Sequence, residues 1–538
     1  MKNIHRSLVI GCSLLALSAC GPDDIASPGG GNITINYPAP TPAPTAPTPT
    51  PTGGLSTAAA NCPTIADPQG LTDGGVLSGP SGTWRACTLP RTLAVSSTLP
   101  RVPGVLYQLA GRVDVGCDGG FAAPSAGSPH ASTTVGCGTL TGDTNVELTI
   151  DPGVIVFGGT GVSWLAVNRG NKINAVGTAA QPIIFTSRQN IVGLTTEASS
   201  GQWGGVVLMG RATITDCKSG GTPGVDCERD TEGASDPATF GGLDDTYNAG
   251  HMDYVQIRYS GYVIGIDKEL QSLTPEGVGS GTKLGHIMSY NSSDDGIEFF
   301  GGVVNLKHYV AVGAEDDSLD IDTGARVKIQ HAIIAQRTGV GDTMMEIDSN
   351  KNESNSPRTN VKLSNFTFFQ GKTGNDDLAS LFVRGNADVS LMNGVLVSPD
   401  NPCFGMFADQ GSAVGDRATA AFKSVVMKCS SPFVQEDSYK KDGVPNNAFA
   451  NDTAKTAFGD GSNNNNASFT PAVTRTLFVN GTAENGVQWS DPADAFFDTV
   501  SYIGAVKDTV WYSGWVCNSA AATFGNSVTG NCTDIPVY

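Results

Sequence analysis

Charged residues are scarce in this chain, at 15% of 538 residues, and basic residues are in the minority: 32 Lys and Arg stand against 51 Asp and Glu, for a net charge of −19. A nucleic-acid partner requires a basic face against its phosphates, so this balance argues against nucleic-acid binding. It also argues against electrostatic binding to an anionic membrane. The acidic excess is compatible with divalent cations or with a solubilising surface.

The start of the chain lacks the apolar length that a membrane-spanning helix needs. The apolar run 8–17 is shorter than the roughly 20 residues that such a helix requires. Because it follows the basic residues Lys2 and Arg6, this run predicts a secretory signal over residues 1–19. The tetrapeptide that ends in Cys20, Leu-Ser-Ala-Cys, resembles the lipobox of bacterial lipoproteins and implies lipidation of that cysteine. The alternative is an ordinary signal peptide with a chance cysteine.

The anchor also predicts where the protein resides. Gly21 rather than Asp follows the cysteine, a pattern that favours outer-membrane sorting in enterobacterial lipoproteins. The predicted location is therefore the outer membrane, with the lipid in the membrane and the protein on its periplasmic or cell-surface face. Residues 20–59 are predicted to be the tether, because 37–54 are rich in Pro and Thr and favour an extended polyproline II spacer.

Metal-binding cysteine patterns are missing, since no Cys-x-x-Cys and no Cys/His cluster occurs. Ten cysteines remain after Cys20 and one cysteine in the signal, and an even number in an exported protein predicts disulfides. Sequence alone does not fix the connectivity, but the cysteines form sequential pairs separated by 25, 20, 10, 26 and 15 residues. Nearest-neighbour pairing predicts five local bonds: Cys62–Cys87, Cys117–Cys137, Cys217–Cys227, Cys403–Cys429 and Cys517–Cys532.

An internal repeat occupies the middle of the chain. Three segments begin at histidines that are 22 and 23 residues apart: His286, His308 and His331. Short β-rich runs with this period are typical of the coils of a parallel β-helix. The alternating second segment predicts a half-buried strand whose shared face holds four residues: Leu306, His308, Val310 and Val312.

The predicted fold is therefore all-β: a right-handed parallel β-helix, or solenoid, with disulfide-closed loops. Similar apolar runs predict coils over 140–435, with an insertion at 213–250. Residues 60–139 are predicted to form a disulfide-rich N-terminal cap region. Residues 436–538 are predicted to form a loop-rich C-terminal cap, whose aromatic end covers the open end of the helix.

Acidic residues recur at equivalent points of the repeat. Coils stack about 4.8 Å apart, so the acids are predicted to form files: Asp294 with Asp316 and Asp342, Asp295 with Asp317, and Glu298 with Asp320 and Glu346. Stacked carboxylates repel, and Ca²⁺, which takes several oxygen ligands, would offset that repulsion. The predicted calcium ligands are Asp294, Asp295, Asp316, Asp317, Asp320 and Asp322. Two alternatives remain open, namely solvated turn residues and carboxylate catalysis.

Longer stretches resemble a known family. The segments INAVGTAAQPIIFTS, GQWGGVVLMGRA and NSSDDGIEFFGGVVNLKHYVAVGAEDDSLDID, with a terminal YIGAV and GW, span most of residues 145–515. They are similar to the right-handed β-helix outer-membrane lipoproteins of spirochaetes and other Gram-negative bacteria. The resemblance implies a surface or periplasmic lipoprotein, sometimes near TonB-dependent transporters. It implies no settled biochemical activity.

The acids also resemble part of the catalytic set of polygalacturonase-type glycosidases. Asp295, Asp316 and Asp317 match its acidic positions, and Arg326 and Lys328 match its basic motif. The match is incomplete, because no Gly-His-Gly occurs and Arg326 lies on the coil directly after the Asp pair, which is too early. The histidines of the repeat are predicted to form a buried structural stack, with a transition-metal site as the alternative.

No P-loop, G-x-S-x-G elbow or H-E-x-x-H motif occurs, and no catalytic residue is assigned. The sequence therefore predicts a tethered cell-envelope lipoprotein that acts as a non-enzymatic binding or structural module stabilised by calcium. The expected partners are a glycan or an outer-membrane transporter, the latter by family analogy. The alternative is a polysaccharide hydrolase or lyase that uses the Asp ladder.

Overall fold

Parallel β-structure dominates the part of the chain that the structure, a computed structural model, describes. The described residues are 54–159, 162–218, 220–232, 238–262, 269–349, 354–371, 379–407, 416–434, 440–441, 444–445 and 451–538. The predicted signal over 1–19, Cys20 and the tether up to residue 53 lie outside these ranges. Within them, no helix is long and apolar enough to cross a membrane.

Strands make up nearly all of the regular structure. In chain order they are β1 (Thr72–Gly79), β2 (Gly82–Thr88), β3 (Thr92–Leu93), β4 (Ser97–Leu99), β5 (Val105–Leu109), β6 (Arg112–Val115), β7 (His130–Ala131), β8 (Thr139–Leu140), β9 (Glu147–Ile150), β10 (Ile155–Gly158), β11 (Trp164–Val167), β12 (Lys172–Val176), β13 (Ile183–Ser187), β14 (Val206–Met209), β15 (Arg229–Asp230), β16 (Thr239–Phe240), β17 (Gly250–Arg258), β18 (Leu273–Glu276), β19 (Lys283–Tyr290), β20 (Glu298–Phe300), β21 (Val303–Val312), β22 (Asp320–Asp322), β23 (Arg326–Ala335), β24 (Met345–Ile347), β25 (Asn360–Phe369), β26 (Leu381–Val383), β27 (Asp388–Ser398), β28 (Phe404–Met406), β29 (Thr419–Cys429), β30 (Lys440–Lys441) and β31 (Val444–Pro445). The helices are α1 (Arg188–Ile191), α2 (Asn451–Phe458) and α3 (Thr482–Asn485).

Most strands belong to two parallel sheets. The long-strand sheet has the order β2-β5-β10-β13-β17-β19-β21-β23-β25-β27-β29, and the short-strand sheet has the order β3-β6-β11-β14-β18-β20-β22-β24-β26-β28. Each strand pairs with its equivalent in the next coil, so the chain advances by about 4.8 Å per coil. This topology confirms the predicted all-β parallel β-helix.

The longest strands bend at a residue in the left-handed region of backbone space. His286, His308 and His331 have φ values of 45°, 63° and 62°, and Asn365 and Asn393 continue the file with values of 60° and 53°. Asn and His adopt this conformation more readily than most residues with a side chain. The file therefore marks a corner that recurs in each coil and divides each long strand into two straight halves.

The corner changes which residues face inward. On one side of His308, Leu306 packs in the main core; on the other side Tyr309 packs there, while Val310 and Val312 lie in a separate outer cluster. The prediction that Leu306, Val310 and Val312 share one face is therefore wrong. A residue with positive φ interrupts the two-residue alternation on which that prediction depends.

Coil stacking begins before the predicted boundary at residue 140. In the long-strand sheet β2 pairs in parallel with β5 and β5 with β10, and β3, β6 and β11 do the same in the short-strand sheet. The segment 60–139 therefore contributes coils, and antiparallel β1 covers its first strand. Because β3 and β6 hold only two and four residues, they are too short to show a period in the sequence.

Residues 471–538, called here the C-terminal strap, lie along the outside of the long-strand sheet. Trp515 of the strap belongs to the same apolar cluster as Val310 of β21. Nearer the start of the helix, the guanidinium of Arg258 donates a hydrogen bond to the carbonyl of Cys532 at 2.8 Å. The strap therefore covers the apolar outer halves of the bent strands, which would otherwise face water.

The open end of the helix has a different cover. There α2 packs on the last coil, with the ring of Phe458 5.1 Å from that of Phe422 and 5.8 Å from that of Phe433. The prediction that the aromatic end of the chain covers this end is therefore wrong. Those aromatic residues pack instead on the apolar outer face of the long-strand sheet.

Five disulfides close local loops in the described residues, and they follow the nearest-neighbour pairing predicted from the sequence: Cys62–Cys87, Cys117–Cys137, Cys217–Cys227, Cys403–Cys429 and Cys517–Cys532. The third of these disulfides, Cys217–Cys227, precedes the hairpin β15–β16, which packs on the short-strand sheet with the ring of Phe240 6.1 Å from that of Phe300. This inserted hairpin therefore covers short strands from β11 to β20, the first strand that carries an acid of the repeat.

Candidate metal centre

Acidic side chains project from the short-strand sheet in three consecutive coils. Phe299, Ile321 and Ile347 are aligned in the strand register and pack in the core, so the residue before each of them faces outward. The strand register pairs Glu298 with Asp320 and Asp320 with Glu346. The predicted file of these three acids is therefore present, one acid per coil.

The turns that lead into these strands add further aspartates. Three groups bring carboxylate oxygens within 4.8 Å of one another: Asp294, Asp295 and Asp316; Asp295, Glu298 and Asp320; and Asp316, Asp317 and Asp342. Neighbouring groups share Asp295 or Asp316, so the groups form a continuous array across the coils. Five of the six predicted ligands belong to it, and Asp322 does not.

Hydrogen bonds fix the inner aspartates of this array. The Oδ1 of Asp295 accepts a bond from the backbone N–H of Asp317 at 2.8 Å. One coil later, the Oδ1 of Asp317 accepts bonds at 2.7 Å from both the N–H and the hydroxyl of Thr343. Each of these carboxylates thus holds the turn of the following coil. The side-chain amide of Gln271 donates a hydrogen bond to Oδ2 of Asp294 at 3.0 Å. These bonds fix the carboxylates in place before any ligand binds.

Burial makes the array costly to ionise. Desolvation raises the pKa of Asp295 well above its usual range, and the neighbouring Asp294 raises it further. Desolvation likewise raises the pKa of Asp317, with a contribution from Glu346. The pKa of Asp320 is raised by the same two causes, burial and Glu346. Bound protons or a cation would offset this cost of ionising the array.

Basic side chains lie at the borders of the array. The guanidinium of Arg384 pairs with Glu346, and its Nε lies 2.9 Å from an oxygen of Asp348. Across the described ranges, no Lys or Arg forms an ion pair with Asp295 or Asp317, which are 5% and 4% exposed. The Oδ1 of Asp320 is buried and accepts no hydrogen bond from the described residues. Carboxylate oxygens in such a set match the ligands that Ca²⁺ prefers.

Comparison with known proteins identifies the family. The model of the pectate-lyase-like β-helix domain matches residues 135–475, more than half of the chain. The chain belongs to this family. No curated protein and no solved structure matches it significantly. The family is compatible with a polysaccharide-active or polysaccharide-binding module. The finer resemblance to spirochaete outer-membrane lipoproteins is not confirmed by this match.

Asp322 has a different environment from the other predicted ligands of this pectate-lyase-like helix. Its Oδ1 accepts a bond from the N–H of Thr323 at 2.5 Å, and burial beside Asp348 raises its pKa to about 8. In the strand register it lies beside Phe300 rather than beside an acid of the preceding coil. It therefore lies next to the array without joining any of the three groups.

Glu276 is a buried acid that sequence reasoning missed. Its side chain is fully buried, and its Oε2 accepts a bond from the hydroxyl of Thr231 at 2.7 Å. Burial raises its pKa to about 8. In the strand register Glu276 pairs with Phe300, which pairs with Asp322 in the next coil. Alignment of the coils could therefore have placed Glu276 in the file of Asp322. The inserted hairpin covers this acid and separates it from the array.

The histidines of the β-helix form a stack on the other sheet. The ring centroids of His286 and His308 are 4.2 Å apart, and those of His308 and His331 are 5.1 Å apart. Trp511 of the strap packs 4.9 Å from the middle ring. Burial lowers the pKa of His308 to about 2 and that of His331 to about 4. The stack thus packs against Trp511 and Trp515 of the strap.

Proposed function

We propose that this chain is a calcium-stabilised binding module of the cell envelope, tethered to the outer membrane through lipid on Cys20. In this proposal the β-helix binds polysaccharide without cleaving it. The observation that carries the calcium part is the array of carboxylates within 4.8 Å of one another, whose inner members have no basic partner among the described residues. The family match supports the polysaccharide part.

The surroundings of the acids favour a cation over hydrolysis. The acids here approach within 4.8 Å and hydrogen-bond to the next coil, which suits ligands of one ion. The basic residues of the hydrolase-like set point elsewhere, since Arg326 pairs with Asp245 at 2.8 Å and Lys328 with Asp494 at 2.9 Å.

Calcium binding is tested by titrating chelator-treated protein with Ca²⁺ in a calorimeter. The variant Asp295→Asn with Asp317→Asn keeps an acceptor oxygen at each position but removes two charges, so binding should be lost. Asp400→Asn is the matched control, because Asp400 is an exposed aspartate in the turn after β27. Equal heats for both variants would contradict the proposed calcium site.

The anchor is tested separately in cells. Wild-type protein should label with a radioactive fatty acid and sediment with outer membranes, and Cys20→Ala should do neither. Labelling of Cys20→Ala would contradict the lipid anchor and leave the calcium proposal intact.

Polysaccharide binding is tested with a glycan array and the soluble domain 60–538. Binding without release of new reducing ends is expected. Release of reducing ends that disappears in Asp317→Asn would favour the hydrolase or lyase alternative. An accessory role beside an outer-membrane transporter depends on the family resemblance, and it predicts co-purification of a transporter with the lipidated chain.

A further inference from the structure

Lysine side chains form a column on the outer face of the long-strand sheet, away from the acidic array. Lys328 in β23 pairs directly with Lys362 in β25, and Lys307 in β21 lies beside this file, two residues farther along its strand and in register with Gln330. Exposed Lys283 lies in the same file two coils earlier, with Asn305 between them. Like charges on adjacent coils repel at about 4.8 Å, so the column requires counter-ions.

The counter-ions in this structure come from the chain itself. A carboxylate oxygen of Asp494 in the strap lies 2.9 Å from the Nζ of Lys328 and 3.2 Å from the Nζ of Lys362. Four residues later, Asp498 lies 2.7 Å from the Nζ of Lys307. The bond from Lys328 lowers the pKa of Asp494 to about 2, so this carboxylate stays ionised at neutral pH. The column therefore already binds two anionic groups of one chain.

The strap is fastened on both sides of these ion pairs and only loosely between them. At one end, Ser490 exchanges two hydrogen bonds of 2.8 Å with the side chain of Asn393. At the other end, the backbone of Asp498 exchanges bonds of 2.9 and 2.7 Å with Gln330. Between them Asp491, Ala493 and Ala495 are exposed, and the buried Phe497 lies next to the second fastening. Since ion pairs of partly exposed lysines contribute little, the arch of residues 491–496 can be displaced without unfastening the strap.

We infer that the lysine column is a binding site for an anionic polymer and that residues 490–498 are its internal competitor. Asp494 and Asp498 occupy the positions that successive anionic groups of such a polymer would take. The polymer class is a chain of repeated anionic groups, each able to bridge lysines on adjacent coils about 4.8 Å apart, as Asp494 does. This inference requires neither calcium nor the lipid, and it deepens the polysaccharide part of the proposed function: polysaccharide binding that survives Lys328→Ala with Lys362→Ala would refute the lysine site and leave the proposed function intact.

Fluorescence anisotropy with labelled dextran sulfate, carboxymethyl-dextran and neutral dextran of equal length tests the inference at low salt. Wild-type protein should bind the charged dextrans weakly and neutral dextran not at all. Asp494→Ala with Asp498→Ala should bind the charged chains at least tenfold more tightly, and adding Lys328→Ala with Lys362→Ala should remove the gain. Asp491→Ala, in the same segment, is the matched control and should behave as wild type. Tighter binding of dextran sulfate would identify sulfate as the recognised group, and tighter binding of carboxymethyl-dextran would identify carboxylate.

Wild-type protein provides a second readout that needs no variant. Hydrogen exchange at backbone amides of residues 491–496 should accelerate in excess dextran sulfate, because the polymer displaces the arch, while exchange in β21 should stay unchanged. Two results would overturn the inference: opened variants that bind no tighter than Asp491→Ala, or exchange in the arch that does not respond to a bound polymer.

Discussion

Replacing Glu276 by Gln should make the protein more stable at alkaline pH and change it little at acid pH. The carboxyl group is fully buried, with one oxygen bonded to the Thr231 hydroxyl and the other, Oε1, without a partner among the described residues. Gln keeps the size and an acceptor for Thr231 but cannot ionise. The substitution therefore removes a proton equilibrium and leaves the packing of the inserted hairpin in place.

The sign follows from the raised pKa. Burial moves the pKa of Glu276 from 4.5 to about 8 in the folded protein. Its contribution to stability is therefore fully present below pH 4.5, falls as pH rises and is lost above about 8. At about 1.4 kcal/mol per pH unit, the loss relative to strong acid is about 1 kcal/mol at pH 5 and about 5 kcal/mol at pH 9. The free energy of unfolding of the variant, relative to that of wild type, should therefore rise by about 4 kcal/mol between pH 5 and pH 9.

Urea unfolding of both proteins at pH 5 and pH 9, in the presence of chelator, measures this difference. The acids of the array titrate in both proteins and cancel in the comparison. Glu484→Gln is a matched control, because Glu484 is also buried but accepts hydrogen bonds from the backbone N–H groups of Ala472, Val473 and Gly481. It should lose stability at both pH values. An unfolding free energy difference for Glu276→Gln that is the same at pH 5 and pH 9 would refute the reasoning.

Three further predictions follow from the fold. Calcium at one hundred times its dissociation constant should raise the free energy of unfolding by about 2.7 kcal/mol, and differential scanning calorimetry should show no such rise for Asp295→Asn with Asp317→Asn; identical melting of wild type with calcium and with chelator would mark the acids as solvated turn residues. His308→Asn should be tolerated, because Asn occupies the same corner in later coils. His308→Val should lower the free energy of unfolding in urea by about 1–2 kcal/mol, since a left-handed backbone is strained for a β-branched residue. Equal stability of the two variants would contradict the left-handed corner. Peptide mapping without reduction should find the five sequential disulfides, and a crosslink from Cys62 to any cysteine beyond Cys137 would contradict them.

The repeating coils of the fold could be predicted from the sequence. The spacing of His286, His308 and His331 equals one coil, so it correctly places Glu298 and Asp320 in one file, and Glu346 joins them when an insertion of three residues is allowed. The histidine corner could not be predicted, because a positive φ is a property of the backbone and His adopts both conformations. For that reason the sequence assigned Val310 to the wrong face.

The missed features depend on contacts between distant segments. Thr343 takes the third position after Asp295 and Asp317, but it is not an acid, so the search for a file of carboxylates passed over it. The position of the strap was also hidden, because its segment contains no strand and only a helix of four residues. Its aromatic residues show that it packs on something, and only the structure shows on what. Glu276 becomes a candidate only once the inserted hairpin is seen to cover it.

The path of the strap changes how the solenoid resists force. A solenoid whose coils contact only their neighbours can peel open from either end, one coil at a time. Here Ser424 in the last long strand bonds to Ser490 at 2.8 Å, and farther along the strap Ile535 accepts a bond from Ser81 beside the first coil at 2.5 Å. Tension applied through the start of the helix is thereby shared with its far end, so the coils should rupture together in one event rather than unravel in sequence.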